Sequence, residues 1–152
     1  MNLRLIGICL VAAVAGGFFA WVLYGLAGGG GGGDDSTVPL PDDSRTPTIL
    51  AFIPLQVEKL GRGAEGIYGV LDFGVQAQCS LEEFIAAMAD EPSPGAFREV
   101  REITYNDDGT ADVQVVLITE SGDVEVTWRL SFLPNGLPKI VEIPGSEECA
   151  PA

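Results

Sequence analysis

The chain has 152 residues, in which aspartate and glutamate outnumber lysine and arginine by 22 to 8 and histidine is absent. An acidic chain with no run of Lys or Arg repels phosphate backbones and anionic headgroups, which excludes nucleic-acid binding as a function class. The missing imidazole removes the commonest general base and the commonest neutral metal ligand, and no sequence motif asks for a metal or cofactor.

The uncharged run 5–27, at about 1.5 Å per residue, would span roughly 34 Å as a helix and predicts a transmembrane signal-anchor. Arg4 precedes it while Asp34 and Asp35 follow, so the positive-inside bias puts the N-terminus in the cytoplasm and the remainder outside a cell membrane crossed once. The alternative is a secretory signal cleaved near Ala27, since Gly25 and Ala27 suit the small-residue positions before a cut. Either way the rest of the chain is exported. Residues 28–46 open on an uninterrupted glycine run and continue with aspartates, Pro39 and Pro41, which reads as a solvated tether. The folded domain is expected over 47–144, with a tail at 145–152.

Thr46 and Pro47 begin a helix in which Ile49, Phe52, Ile53, Val57 and Leu60 recur at 3.6-residue spacing up to Gly61. Pro54 removes a donor and predicts a kink or a split near Ile53. A short second helix over 64–71 would put Ile67, Val70 and Leu71 on one face. The third is announced by a capping box, Ser80 with Glu83, and by a Cys79–Phe84 staple. Its buried stripe is Leu81, Phe84, Ile85 and Met88, and its end lies near Asp90.

After Gly95 the period changes from 3.6 to 2, predicting strands over 96–105, 111–119, 124–132 and 139–143. In the third strand Val124, Val126, Trp128, Leu130 and Phe132 oppose Glu125, Thr127, Arg129 and Ser131. The connections are short, so the strands form an antiparallel meander. The fold class expected is α+β: an N-terminal transmembrane helix, then about three helices packed on a curved four-stranded antiparallel meander.

The run 61–88, GRGAEGIYGVLDFGVQAQCSLEEFIAAM, resembles the nuclear transport factor 2-like superfamily through Tyr68, Leu71, Asp72, Ser80, Glu82, Glu83 and Phe84. The resemblance implies a cone-shaped, cystatin-like α+β domain. The family includes isomerases, cyclases and dehydratases alongside scaffold, immunity and membrane-tethered members of unknown role, so the fold does not supply the function. Its catalytic members place ionisable groups, often a His with an Asp, inside the cone. Here no His exists, and Val113, Val115, Leu117, Val126, Trp128 and Leu130 make the inward faces apolar.

Cys79 and Cys149 are the cysteines of the exported part and suggest a disulfide, with two free thiols as the alternative. Asn106 to Asp112 holds three acids and a glycine, but the terminal carboxylates of a calcium loop are missing, and a hairpin turn is the better reading. Tyr68, Asp72, Tyr105 and Trp128 are candidates to line a ligand pocket at the cone mouth. Asp72 with Tyr68 or Tyr105 would be the catalytic pair if there is one, since burial can raise a carboxyl toward neutrality. Against this stands the plainer role of Asp72 as a turn cap and of the aromatics as core. Val116 and Ile118 fall on the expected outer sheet face; exposed together they would form a partner-binding patch, the alternative being that a dimer interface or the tail covers them.

The function expected is thus a membrane-anchored, extracytoplasmic, non-catalytic binding or assembly module. It would meet the membrane through 5–27 and bind a protein partner or a second copy of itself. The alternative is a small-molecule-binding or lyase- or isomerase-like domain using a carboxylate in the cone pocket.

Overall fold

In the computed structural model, which describes residues 39–151, four α-helices precede a four-stranded antiparallel sheet. They are α1 (Thr46–Arg62), α2 (Glu65–Tyr68), α3 (Phe73–Gln78) and α4 (Leu81–Met88). The strands β1 (Ala96–Tyr105), β2 (Ala111–Thr119), β3 (Gly122–Phe132) and β4 (Pro138–Glu142) follow in spatial order 1-2-3-4, and a 3₁₀ turn, Glu147–Cys149, ends the chain.

The expected fold class is corrected in its helical part. There are four helices among the described residues where about three were expected, and none of them is long and apolar enough to cross a membrane. The span expected at 5–27 lies outside the described residues, as does most of the tether expected at 28–46.

α1 is a single element despite Pro54. Ile49 and Ile53 before the proline and Val57 after it are all buried on one face. That burial, roughly 1.5–3 kcal/mol per large apolar side chain, offsets the backbone bond that the proline ring removes. The second helix shrinks to one turn at Glu65–Tyr68, which Gly66 within it and Gly69 at its end weaken. α3 was not foreseen. Its N-cap is Asp72, whose Oδ1 accepts from the Gly74 N–H at 2.8 Å.

α4 starts as its capping box requires. The Ser80 N–H donates to Glu83 Oε2 at 2.8 Å and the Glu83 N–H to Ser80 Oγ at 3.3 Å. The backbone bond from Ser80 and the Ser80 hydroxyl hold the Glu83 carboxyl below its usual value. Only Phe84 of the expected stripe is fully buried, because an eight-residue helix beside the sheet turns Leu81 and Ile85 outward.

The helices cover one sheet face, with α1 lying against β1 and β4. Val113, Val115 and Leu117 of β2 and Trp128 and Leu130 of β3 meet them in a single core. Two bulges, between Phe97 and Glu99 and between Val100 and Glu102, bend β1. Beyond β4 the segment entering α3 adds one further pairing, parallel to the strand. The Asp72 N–H donates to Ile140 O at 2.7 Å and the Ile140 N–H to Val70 O at 3.0 Å.

The outer sheet face carries ion pairs. Arg129 of β3 meets its neighbour Asp112 of β2 at 2.8 Å, while Arg98 pairs with Asp123 and Arg101 with Glu125, the latter at 2.7 Å. These last two join β1 to β3 and must therefore cross β2. The Arg101–Glu125 bond does so at the level of Val116, which is paired with Glu99 on one side and Glu125 on the other and is only 2% exposed. The apolar patch expected from Val116 and Ile118 is thereby corrected. An arginine strap covers the valine, leaving Ile118 at 47% exposure.

Candidate functional site

The four residues expected to line a pocket do not converge. Tyr68 donates its hydroxyl proton to Cys79 O at 2.7 Å and stacks at a tilt on Phe84, with ring centroids 5.9 Å apart. Asp72 spends both oxygens structurally, Oδ1 on the α3 cap and Oδ2 on the Ser131 hydroxyl. Tyr105 lies at the other edge of the sheet, on β1, in the cross-strand row Tyr105–Ala111–Leu130–Ile140 that leads to Leu71. There the Thr46 hydroxyl gives its one proton to Pro41 O at 2.9 Å, so the Tyr105 hydroxyl, 2.9 Å from Thr46 Oγ1, is the donor to threonine. Each polar group proposed for chemistry thus already has a partner within the fold.

A cavity of about 370 Å³ does exist, and Trp128 alone of the four lines it. Its floor is the inner face of β2 and β3 near their hairpin, with Leu117, Val126 and Trp128. The C-terminal end of α1 and the start of α2 form one wall through Leu60 and Ala64, and the exit of β4 another through Ile143 and Pro144. The remaining wall is the end of α4 and the loop after it, with Met88, Pro92 and Pro94. Small polar groups, Ser93, Thr119 and Ser121, sit among these, and Glu91 is the one titratable lining residue among the described residues.

Local backbone chemistry explains why the cavity stays open. The proline loop returns to the sheet at Gly95, where φ is +79° and a Cβ would collide with Ile118 O, so only glycine permits the approach. Pro92 and Pro94 cannot donate to the sheet and hold the loop as a rim instead of an added strand. On the floor β3 loses cover progressively. Leu130 and Trp128 are buried to within 1%, Val126 is half-buried, and Val124, at the hairpin, is 40% exposed.

A disulfide between Cys79 and Cys149, as expected, spans 70 residues of sequence with 5.4 Å between Cα atoms. It fixes the tail that follows Pro144 to the junction of α3 and α4. The bond thus ties the segment that enters α4 to the segment that leaves β4, and neither cysteine lines the cavity. The hairpin at Asn106–Thr110 is closed by its own acids: Asp108 Oδ1 accepts from the Thr110 N–H at 2.9 Å and from its hydroxyl at 2.6 Å. Those bonds, the hydroxyl first, lower the Asp108 carboxyl.

Pattern reading missed the cavity because its rim comes from a loop, 89–95, that has no periodicity. The one available signal was the pair Pro92 and Pro94 before Gly95, which forbids the loop from pairing or coiling across the sheet end. No family model matches the chain, and neither a curated protein nor a solved structure proves similar to it.

Proposed function

We propose that this domain is a non-catalytic extracytoplasmic binding module that takes a small, largely apolar ligand in the mouth between the α1 and α4 ends and the β2–β3 hairpin. The observation that carries the reading is the composition of that mouth. Its volume falls within the range of small-molecule sites, its lining is apolar, and a few hydroxyls and one carboxylate sit at its edge. Proton-transfer chemistry receives no support from Asp72, Tyr68 or Tyr105, whose polar atoms serve an N-cap and two hydrogen bonds. Placement outside the cytoplasm is supported by the Cys79–Cys149 disulfide, a bond that persists in oxidising compartments. The order of helices before a bulged antiparallel meander supports a nuclear transport factor 2-like cone as the scaffold.

The test is titration of the full chain with N-phenyl-1-naphthylamine, a neutral apolar dye whose emission rises on leaving water. We expect saturable one-site binding that Ala64→Trp, which fills the mouth, abolishes while thermal unfolding stays cooperative. Dye uptake that is absent, or equal in a folded Ala64→Trp variant, would overturn the reading.

A further inference from the structure

We propose that the mouth selects cationic amphiphiles, small molecules with an apolar body that enters the cavity and a positively charged head that stays at its rim. The inference rests on the reading of the mouth as a ligand site and adds the charge of the ligand.

Two carboxylates stand at the rim without an ionic or hydrogen-bonded partner among the described residues. One is Glu91, a lining residue whose side chain lies against Gly145, so that a Cβ there would overlap it. The other is Glu65, folded back on the lining residue Gly63: a Cβ at Gly63 would stand 2.5 Å from Glu65 Oε2 and 2.6 Å from Oε1. No lysine or arginine of the described residues lines the cavity. The nearby arginines are already engaged, Arg62 with Glu58 and Arg98 with Asp123, and Lys59, adjacent to Leu60, pairs with neither rim carboxylate.

Backbone dipoles add to the same sign. α1 ends at Arg62 beside Gly63, and α4 ends at Met88, so two helix C-termini, each equivalent to roughly half a negative charge, converge on the cavity. An anionic head would face both carboxylates and both helix ends. A neutral ligand would leave them unpaired, whereas an ammonium or amidinium head complements all four.

The experiment displaces N-phenyl-1-naphthylamine from the full chain with three decyl compounds kept below micelle formation: decyltrimethylammonium, decanol and decyl sulfate. The cation should displace the dye at concentrations about tenfold below those needed for the sulfate, with the alcohol between, and the gap should narrow as salt is raised. Removing both rim charges, Glu65→Gln with Glu91→Gln, should weaken the cation about fivefold and leave decanol within about twofold. A second double variant, Glu102→Gln with Asp107→Asn, removes as much charge from the outer face and the far hairpin and should change nothing. The proposal fails if sulfate competes as well as the cation, or if the remote variant weakens the cation as much as the rim variant, which would mean bulk charge alone. Those outcomes leave dye binding intact, whereas loss of the dye signal itself would overturn the underlying reading of the mouth.

Discussion

The two ends of the inner sheet face share the same strands and the same alternation, yet one is sealed and the other open. At the Tyr105 end the start of α1 and the segment before it lie over the strands. Tyr105, Thr46 and Pro41 form a hydrogen-bonded chain, and the Arg45 guanidinium sits 4.1 Å above the Tyr105 ring and 5.1 Å above that of Phe132. Asp43 holds that guanidinium in place at 2.9 Å, and the same bond lowers the Asp43 carboxyl to about 2. At the hairpin end the cover is the ends of two helices and a proline loop, whose Leu60 and Met88 stand at the cavity wall and leave its centre unfilled. A cavity in this domain therefore reflects what closes the sheet, since β2 and β3 supply apolar side chains along their whole length.

The largest expected effect concerns the brace outside the open end. Replacing both Cys79 and Cys149 by alanine should lower unfolding free energy by about 4 kcal/mol, from the entropy released to a loop of this length. Denaturant titration checks it, and a loss below about 1 kcal/mol would mean that the walls of the mouth hold without the bond.

Next comes a matched pair on β3. Leu130→Ala, in the sealed region at 0% exposure, should cost about 3 kcal/mol, whereas Val124→Ala, 40% exposed at the hairpin, should cost less than about 1 kcal/mol. Equal losses at the two positions would erase the distinction between the ends. Tyr105→Phe removes the proton donated to Thr46 and should cost about 1 kcal/mol without changing dye uptake at the mouth. An effect on dye binding would show that the ends are coupled.

The smallest effect is a pH dependence at the sealed end. The folded Asp43 carboxyl titrates near 2, below the unfolded value of about 3.9, so its contribution is complete above the unfolded value and vanishes as pH falls toward 2. The difference in melting temperature between the native chain and Asp43→Asn should accordingly be constant above about pH 5 and close between roughly 4 and 2. A difference that persists unchanged at pH 2 would remove the Asp43–Arg45 pair from the account.

The strands were legible because side-chain period 2 survives even where cover fails. Val124 continues the apolar row of β3 although it faces the open mouth, and the observed bounds of all four strands lie within two residues of those read from the pattern. The capping box and the cysteine pair were legible because each is a short-range or compartment rule. α3 escaped notice since it has six residues and includes Gly74, leaving Asp72 as its only local mark. Pro54 does not split α1, because propensity speaks for the isolated helix, while Ile53 and Val57 are buried in the core. For the site, Trp128 lines the cavity while Tyr68, Asp72 and Tyr105 do not, because aromatic rings and a carboxylate are also what a core and an N-cap require. The mouth is made by four distant segments meeting, and only the proline loop before Gly95 carries a local mark of it.

The short parallel pairing of Val70–Asp72 with Ile140 has a further consequence for self-association. A sheet with two free edges can add copies at both and so grow without limit. Here the middle of β4 is already hydrogen-bonded within its own chain, and the described sheet keeps one free edge, β1, which two bulges distort and four charged side chains, Arg98, Glu99, Arg101 and Glu102, decorate. Pairing through that edge consumes it in both partners, so strand addition can yield a closed pair but not a fibre.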